Sequence, residues 1–468
     1  METIDAIIKQ ADDIVWGIPL ITLILACGII LTVKLRFVQI RKLGKGFRYM
    51  LHDDDTASGD VSSFAALCTA LSATVGTGNI VGVATAVSTG GAGALFWMEI
   101  AALFGMATKY AEGLLAIKYR TKDNNGNILG GPFYYIENGM GSRWKWLAKA
   151  FACFGVLAGL LGIGTFTQIN GITSAVKSFF DPDSQMTVNI LGNDYSLAVI
   201  IAGVIITLLA ALVLIGGLKS ISSFSQVVVP AMIIAYAACC LIVLATHITA
   251  IPAAFAEIFE CAFGIRPIAG GIAGITVVML ASQKGIARGI FSNEAGLGSA
   301  PIAASAAKTH EPVRQGLVSM MGTFIDTIIV CTMTGLVIVI EGSHTKDLQG
   351  VEITMDAFAN GLPFPPKVTA FILMACLAVF AFTTILGWNY YSERCLSYLL
   401  KPHKYVTAVF RWVYILAVFI GPYLTVEAVW NIADIFNGLM ALPNITALLA
   451  LSEVVGHETT DYFQRTGD

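Results

Sequence analysis

Charge is scarce in this sequence: Asp, Glu, Lys and Arg make up 13% of its 468 residues, while 56% are apolar. That is about half the charged share of a soluble domain, which excludes a cytosolic enzyme and an unfolded chain alike. The formal net charge is only -3, and no basic patch is interleaved with aromatics, so nucleic acid is not an expected partner. Cys-x-x-Cys pairs are absent although there are 9 cysteines, most of them inside apolar stretches, which leaves neither a disulfide framework nor a zinc ribbon. A Gly-x-x-x-x-Gly-Lys-Ser/Thr loop is missing too, so no ATP site is expected.

What is abundant is long apolar runs. A run of about 20 mostly apolar residues crosses a bilayer as a helix, because only helices and closed barrels satisfy their backbone groups there. Eleven runs are predicted, near Ile14 to Leu35, Val61 to Thr89, Ala92 to Tyr119, Leu147 to Phe179, Leu197 to Gly216, Phe224 to Thr246, Pro267 to Ala306, Gln315 to Ile340, Val368 to Tyr391, Tyr405 to Gly421 and Val426 to Val455. The first follows an acidic start and no cleavage site follows it, so it reads as a retained helix rather than a signal peptide. The six histidines fall in loops or near span ends, where they build no mid-membrane proton relay or metal site. Lysine and arginine crowd alternate loops, from Lys34 to Arg48, Lys118 to Lys149, and at Lys219, Lys308, Arg314, Arg394, Lys401 and Lys404. This places the N-terminus outside and the C-terminus in the cytoplasm of a multi-pass inner (plasma) membrane protein.

Residues 1–60 supply an extra N-terminal helix and a basic loop. Residues 61–246 and 267–455 then hold five spans each, joined by an external connection at 247–266, with a tail at 456–468. Two related halves with an odd number of spans must enter from opposite sides, the inverted-repeat layout of many secondary transporters. The first span of each half is interrupted by glycine and polar residues: Ser72 to Asn79 in one, and in the other Gly270 to Gly274 followed by Ala281 to Gly289. A helix unwound in mid-membrane exposes amides at one end and carbonyls at the other, a fit for a zwitterion and a cation. The alternative use of these glycines is close helix packing, as in Gly78-x-x-x-Gly82.

The stretches SATVGTGNIVG (Ser72 to Gly82), GGPFYYIENGMG (Gly130 to Gly141), GIARGIFSNEAGLGSAP (Gly285 to Pro301) and QGLVSMMGTFID (Gln315 to Asp326) resemble signature motifs of the alanine or glycine:cation symporter family. The resemblance spans most of the chain, the third motif being the most specific. It implies an all-α carrier of eleven helices, ten of them a leucine-transporter-type core, that couples sodium to uptake of a small neutral amino acid. Sodium would be the coupling ion, no organic cofactor would be needed and a monomer would suffice. Proton coupling, an ion channel and a membrane enzyme are the alternatives; no nucleophile-base pair, filter repeat or charge ring is visible to favour the last two.

By the same resemblance, the backbone of Gly76, Thr77, Gly78 and Asn79 would hold the substrate carboxylate, a task that the freed amides of a broken helix suit independently. Gln168 would face the site, with Asn170 a weaker candidate; interhelical hydrogen bonding is the other fate of both. Carbonyls of Ser72 and Val75 and hydroxyls of Thr383 and Thr384 would ligate sodium, although membrane threonines often bond back to their own helix. Trp388 would wall the pocket, or else belong to an interfacial belt. Lys284, Arg288 and Glu294 are expected towards the cytoplasmic half of the sixth core helix as a gate network. Asp326 is the first choice for a coupling role, ahead of Asp434, and Lys109 and Glu112, three apart on one helix, are expected to neutralise each other. The loop Glu341 to Pro366, with Met355, Phe358 and Phe364, reads as a lid or as an interfacial amphipathic segment.

Overall fold

A computed structural model describes residues 2–52, 59–122, 126, 128–190, 193–266, 274–400, 404–424 and 426–467. Among the described residues the secondary structure is helical apart from two short hairpins. Eight helices among the described residues are long and apolar enough to cross a bilayer, or nine when the bent pair Ser63–Thr74 and Gly78–Gly90 is one span. Two of the expected eleven fall outside this set: Ile18–Lys34 is only 17 residues long, and Ile275–Asn293 carries Lys284 and Arg288. The peripheral helices Leu197–Leu214, Gly217–Thr246 and Lys404–Ile420 expose Leu208, Leu212, Ile234 and Trp412, each more than 60% accessible. Apolar surface of this extent is the face a bilayer covers. Gly93–Lys118, by contrast, is buried along most of its length at the centre of the bundle.

Several expected boundaries shift. The first run divides at Gly17 into an amphipathic helix Glu2–Val15 and the apolar Ile18–Lys34, with Pro19 in the first turn, where it costs no hydrogen bond. The run from Leu147 to Phe179 is two helices, Lys145–Leu161 and Phe166–Phe180, parted at Gly162 to Thr165. The connection at 247–266 contains a helix, Ile251–Ala262, and the expected tail at 456–468 lies largely in the helix Ser452–Thr466.

The first core helix starts where Ser62 caps it, its hydroxyl accepting from the Ala65 amide at 3.0 Å. It is helical to Thr74, leaves the helix at Val75 (φ -76°, ψ 93°), and resumes as a π-helical turn Gly78–Gly82 running into Val83–Gly90, bent by 52°. In the second half the break lies elsewhere than expected. Residues 270–273 lie outside the described residues, and Ala281 to Gly289 sit in one continuous helix, Ile275–Asn293. The unwound stretch follows it, at Glu294 to Ser299, before the short helix Ala300–Ala304. Glu294 is left-handed (φ 56°), and Gly296 and Gly298 have φ of 89° and 80°, a conformation open to glycine. The unwinding is therefore encoded in Asn293-Glu294-Ala295-Gly296-Leu297-Gly298 rather than in the earlier glycines.

The two broken helices are tied to each other at one end. Val61 and Ala307 form a parallel bridge, with the Lys308 amide donating to Val61 O at 2.9 Å, and Arg120 donates to the carbonyls of Ser305 and Ala307 at 2.9 and 2.8 Å. At mid-depth they are in contact: a Cβ added to Gly78 would stand 3.3 Å from Ser292 Cα.

Candidate functional site

The first break leaves amides without helical acceptors, and two side chains supply them. Asn79 Oδ1 accepts from the Gly76 amide at 2.9 Å, and Gln168 Oε1 accepts from the Thr77 amide at 3.3 Å. Gln168 is itself fixed by donation to Ile163 O at 2.9 Å, a carbonyl beside the break in the third core helix. It thus joins the first break to the third core helix. Asn170 instead donates to Leu424 O at 3.4 Å, away from the break. The Thr77 hydroxyl is buried and has no hydrogen-bond partner among the described residues. Gly76 is where side chains crowd the backbone: a Cβ there would collide with Thr384 Oγ1 and lie 3.1 Å from Gln168 Oε1.

On the carbonyl side of the break, Thr384 Oγ1 lies 3.5 Å from Val75 O and 3.2 Å from its own Phe380 O. Thr383 bonds back to Phe380 O at 2.8 Å, and its hydroxyl is 3.6 Å from Met232 Sδ. The Ser72 hydroxyl donates to Thr69 O at 2.8 Å. Neutral oxygens from two helices therefore converge at Val75 and Thr384, a donor set of the hard, uncharged kind that suits a sodium ion.

Asp326 occupies a second π-helical stretch, Phe324–Cys331, within the seventh core helix. Its carboxylate accepts from Asn79 Nδ2 at 2.8 Å, Ser292 Oγ at 2.8 Å and Thr327 Oγ1 at 2.7 Å. One buried acid thereby links the first break to the last turn before the second. Such a charge is tolerated only because several donors face it.

Glu294, expected in a gate network, sits in the second break itself. It accepts from Trp388 Nε1 at 2.8 Å and, closely, from the Ser299 hydroxyl. Trp388 is fully buried, which removes it from any interfacial belt. A Cβ on Gly164 would come within 2.6 Å of Trp388 Cβ, so only a glycine at this position lets the two backbones approach. Tyr414 donates to Gly164 O at 2.8 Å and Ile385 O at 2.9 Å, bracing the same corner.

Lys109 and Glu112 do not form the expected ion pair among the described residues. Glu112 accepts from the Gly296 amide at 3.1 Å and from Asn444 Nδ2 at 2.7 Å, and Tyr135 donates to Asn444. The Lys109 ammonium lacks a hydrogen-bond partner among the described residues and lines a narrow pocket with Thr74, Asn293 and Gln315. Residues three apart on a helix share a face, but this face meets the second break, which takes the carboxylate for its own amide.

Lys284 and Arg288 precede the second break, in the helix Ile275–Asn293. Arg288 pairs with Asp434 at 3.2 Å and lies over the Trp430 ring at 5.0 Å; Phe291 packs on the same ring at 5.1 Å. Trp16 donates to Asp434 O at 2.6 Å. Across the first break, the helix Val351–Gly361 buries Phe358 against Tyr236 and lets Thr354 donate to Ile80 O at 3.1 Å, while Phe364 stays exposed and Met355 half-buried. Ser292, Tyr414, Asn444 and Tyr135 were not singled out from sequence. Of these, Ser292 and Tyr135 lie inside quoted motifs, which was the one signal for them.

The sodium:alanine symporter family matches residues 1–468. The chain belongs to that family. It is 44% identical over 462 residues to the sodium/alanine symporter AgcS of Methanococcus maripaludis, covering 97% of this chain and 96% of that protein. It is 51% identical over 464 residues to an uncharacterized transporter of Haemophilus influenzae, covering 99% and 97% respectively. The probable sodium/glutamine symporter GlnT of Bacillus subtilis is 34% identical over 464 residues, with 98% of this chain and 91% of that protein covered. Among solved structures, MhsT in complex with L-phenylalanine superimposes with a TM-score of 0.53 at 14% identity, covering 87% of this chain and 99% of that one. The fold is therefore the leucine-transporter type, and the protein is a multi-pass membrane transporter rather than an enzyme.

Proposed function

We propose that the protein is a secondary active symporter that imports alanine or glycine with sodium by alternating access. The observation that carries this reading is the meeting of Val75 O, Thr384 Oγ1, the Thr77 amide and Gln168 at one break, in a chain of the sodium:alanine symporter family. The amides of Gly76 to Asn79 and the unpartnered Thr77 hydroxyl receive the substrate carboxylate, which displaces or shares the acceptors Asn79 and Gln168. Val75 O and Thr384, with Ser72 and Thr383 one step behind them, receive sodium. Trp388 closes the side-chain end, and with Gly76 crowded by Thr384 and Gln168 the space favours a methyl or hydrogen side chain.

Coupling follows from shared backbone: a cation that orders Val75 also sets the amides of the next two residues, so each ligand strengthens the other reciprocally. Asp326 transmits this order to the second broken helix through Asn79 and Ser292. Arg288 and Asp434 act as a gate beside the second break. At about 100 mV, inside negative, one sodium contributes about 2.3 kcal/mol. A tenfold gradient adds about 1.4 kcal/mol, and together these sustain about 500-fold accumulation.

Kinship to GlnT supports a second reading, a carrier for a longer neutral amide side chain. Uptake of labelled alanine into sealed vesicles, with and without a sodium gradient and with glycine, glutamine and D-alanine as competitors, separates the two. Uptake indifferent to sodium overturns the coupling; glutamine competing better than alanine overturns the substrate.

A further inference from the structure

Where the first membrane helix Ile18–Lys34 ends, the chain turns through two consecutive non-glycine residues in the left-handed region, Arg36 (φ 52°) and Phe37 (φ 58°). Such a turn is uncommon and costs backbone energy. It lines one wall of a cavity with Lys34, Arg36, Arg41 and Lys42; the helix Ser452–Thr466 supplies the other with Gly456 and Phe463. The space open to the centre of a water molecule is about 220 Å³. One water needs only about 10–15 Å³ on that measure, so a tetrahedral anion with its hydration fits.

The charges are unevenly matched. Lys34 is answered by Glu453 at 2.5 Å. Arg36, Arg41 and Lys42 have no ion pair among the described residues; Arg41 donates only to Arg36 O at 3.3 Å, and Lys42 rests over the Phe463 ring at 4.7 Å. Glu458, the next acid along the second wall, is taken by Lys118. Beside this basic pocket, Val33, Phe37 and Ile40 are about half or more exposed, at 62%, 48% and 58%, at the level where the apolar helix gives way to its basic turn. A basic hollow bordered by exposed apolar side chains at a membrane-helix end has the two-part chemistry of a phospholipid: headgroup phosphate in the hollow, acyl chains along the apolar rim.

We propose that this cavity binds the phosphate of an anionic membrane phospholipid, linking the extra N-terminal helix to the C-terminal helix outside the ten-helix core. Each basic residue near an anionic lipid surface contributes about fivefold to affinity, so removing two lowers it about 25-fold.

The full-length protein, purified in detergent, is mixed with phosphatidylglycerol or phosphatidylcholine and the retained lipid is counted by native mass spectrometry. Phosphatidylglycerol is expected to be retained well above phosphatidylcholine, and excess inorganic phosphate is expected not to displace it. Arg36→Gln with Arg41→Gln is expected to abolish that preference, while Arg143→Gln with Lys149→Gln, basic residues elsewhere on the basic-loop side, leaves it intact. Equal retention of the two lipids overturns the proposal, as does full displacement by inorganic phosphate, which would mark a free-anion site. Unchanged preference in the Arg36 and Arg41 variant overturns it too. If that variant does not fold, the two wild-type comparisons still decide.

Discussion

The side-chain amide of Asn79 is engaged at both ends: its oxygen holds the Gly76 amide at 2.9 Å while its nitrogen holds the Asp326 carboxylate at 2.8 Å. Local backbone at the first break and a charge on the seventh core helix are thus set by one residue. Asn79→Ala leaves both groups buried without that partner, at about 1–3 kcal/mol each. Alanine affinity is expected to fall about tenfold to a hundredfold, with expression retained, as measured by radioligand binding. Wild-type affinity in this variant would remove Asn79 from the site.

Thr384 and Gly76 test the cation side. Thr384→Ala is expected to raise the sodium concentration for half-maximal uptake about tenfold, with alanine affinity at saturating sodium little changed, because the lost hydroxyl is a cation donor of about 1.4 kcal/mol. Gly76→Ala drives a methyl into Thr384 Oγ1 and is expected to abolish transport outright. An unaltered sodium dependence in Thr384→Ala counts against the assignment of the cation to Val75 and Thr384.

Trp388→Phe keeps the aromatic wall but deletes the donor to Glu294 Oε1. Uptake is expected to drop about tenfold, the scale of one buried carboxylate losing a hydrogen bond of about 1.5–3 kcal/mol. Glu294→Gln, which can still accept from the indole, is expected to be milder. The reverse order of severity would show that the charge of Glu294, and not its hold on Trp388, is what transport needs.

Arg288→Ala leaves Asp434 largely buried beside the Trp430 ring without its cation. Breaking such a pair costs about 3–5 kcal/mol. Uptake is expected to collapse, and the swap Arg288→Asp with Asp434→Arg to recover part of it. No recovery, together with unchanged labelling of a cysteine placed at position 291 from the outer side, would deny the pair a gating role.

Asp356, at the helix over the first break, gives a pH signature. Burial raises its pKa, but hydrogen bonds from Lys346 at 2.5 Å and Ser343 at 2.6 Å outweigh this and hold it below the ordinary aspartate value. A depressed folded pKa gives stability that is present above the unfolded value, about 3.9, and is lost as the pH falls through the folded one. Hydrogen-exchange protection of residues 343–361 is expected to hold from neutrality to about pH 4 and to decline below it, and Asp356→Asn is expected to remove that pH dependence.

The first break could be read directly, because Val75-Gly76-Thr77-Gly78-Asn79 places two glycines and an asparagine inside an apolar run. The second could not be placed the same way. Gly285 and Gly289 serve close packing instead: an added Cβ would meet the backbone of Ala94 at the first and Met98 Cγ at 3.0 Å at the second. Glycines that admit a neighbouring helix and glycines that unwind their own look alike in a sequence. The left-handed Glu294, Gly296 and Gly298 are told apart only by their backbone angles.

Run lengths and the small charged fraction determined a helical membrane protein, since backbone groups in hydrocarbon have few ways to be satisfied. The acids were a different matter. Glu112 turned from Lys109 to Gly296 and Asn444, Glu294 from a gate to Trp388, and Asp326 to both broken helices. A buried carboxylate takes whichever donors packing brings within about 3 Å, and that is fixed by how helices distant in sequence lie against one another.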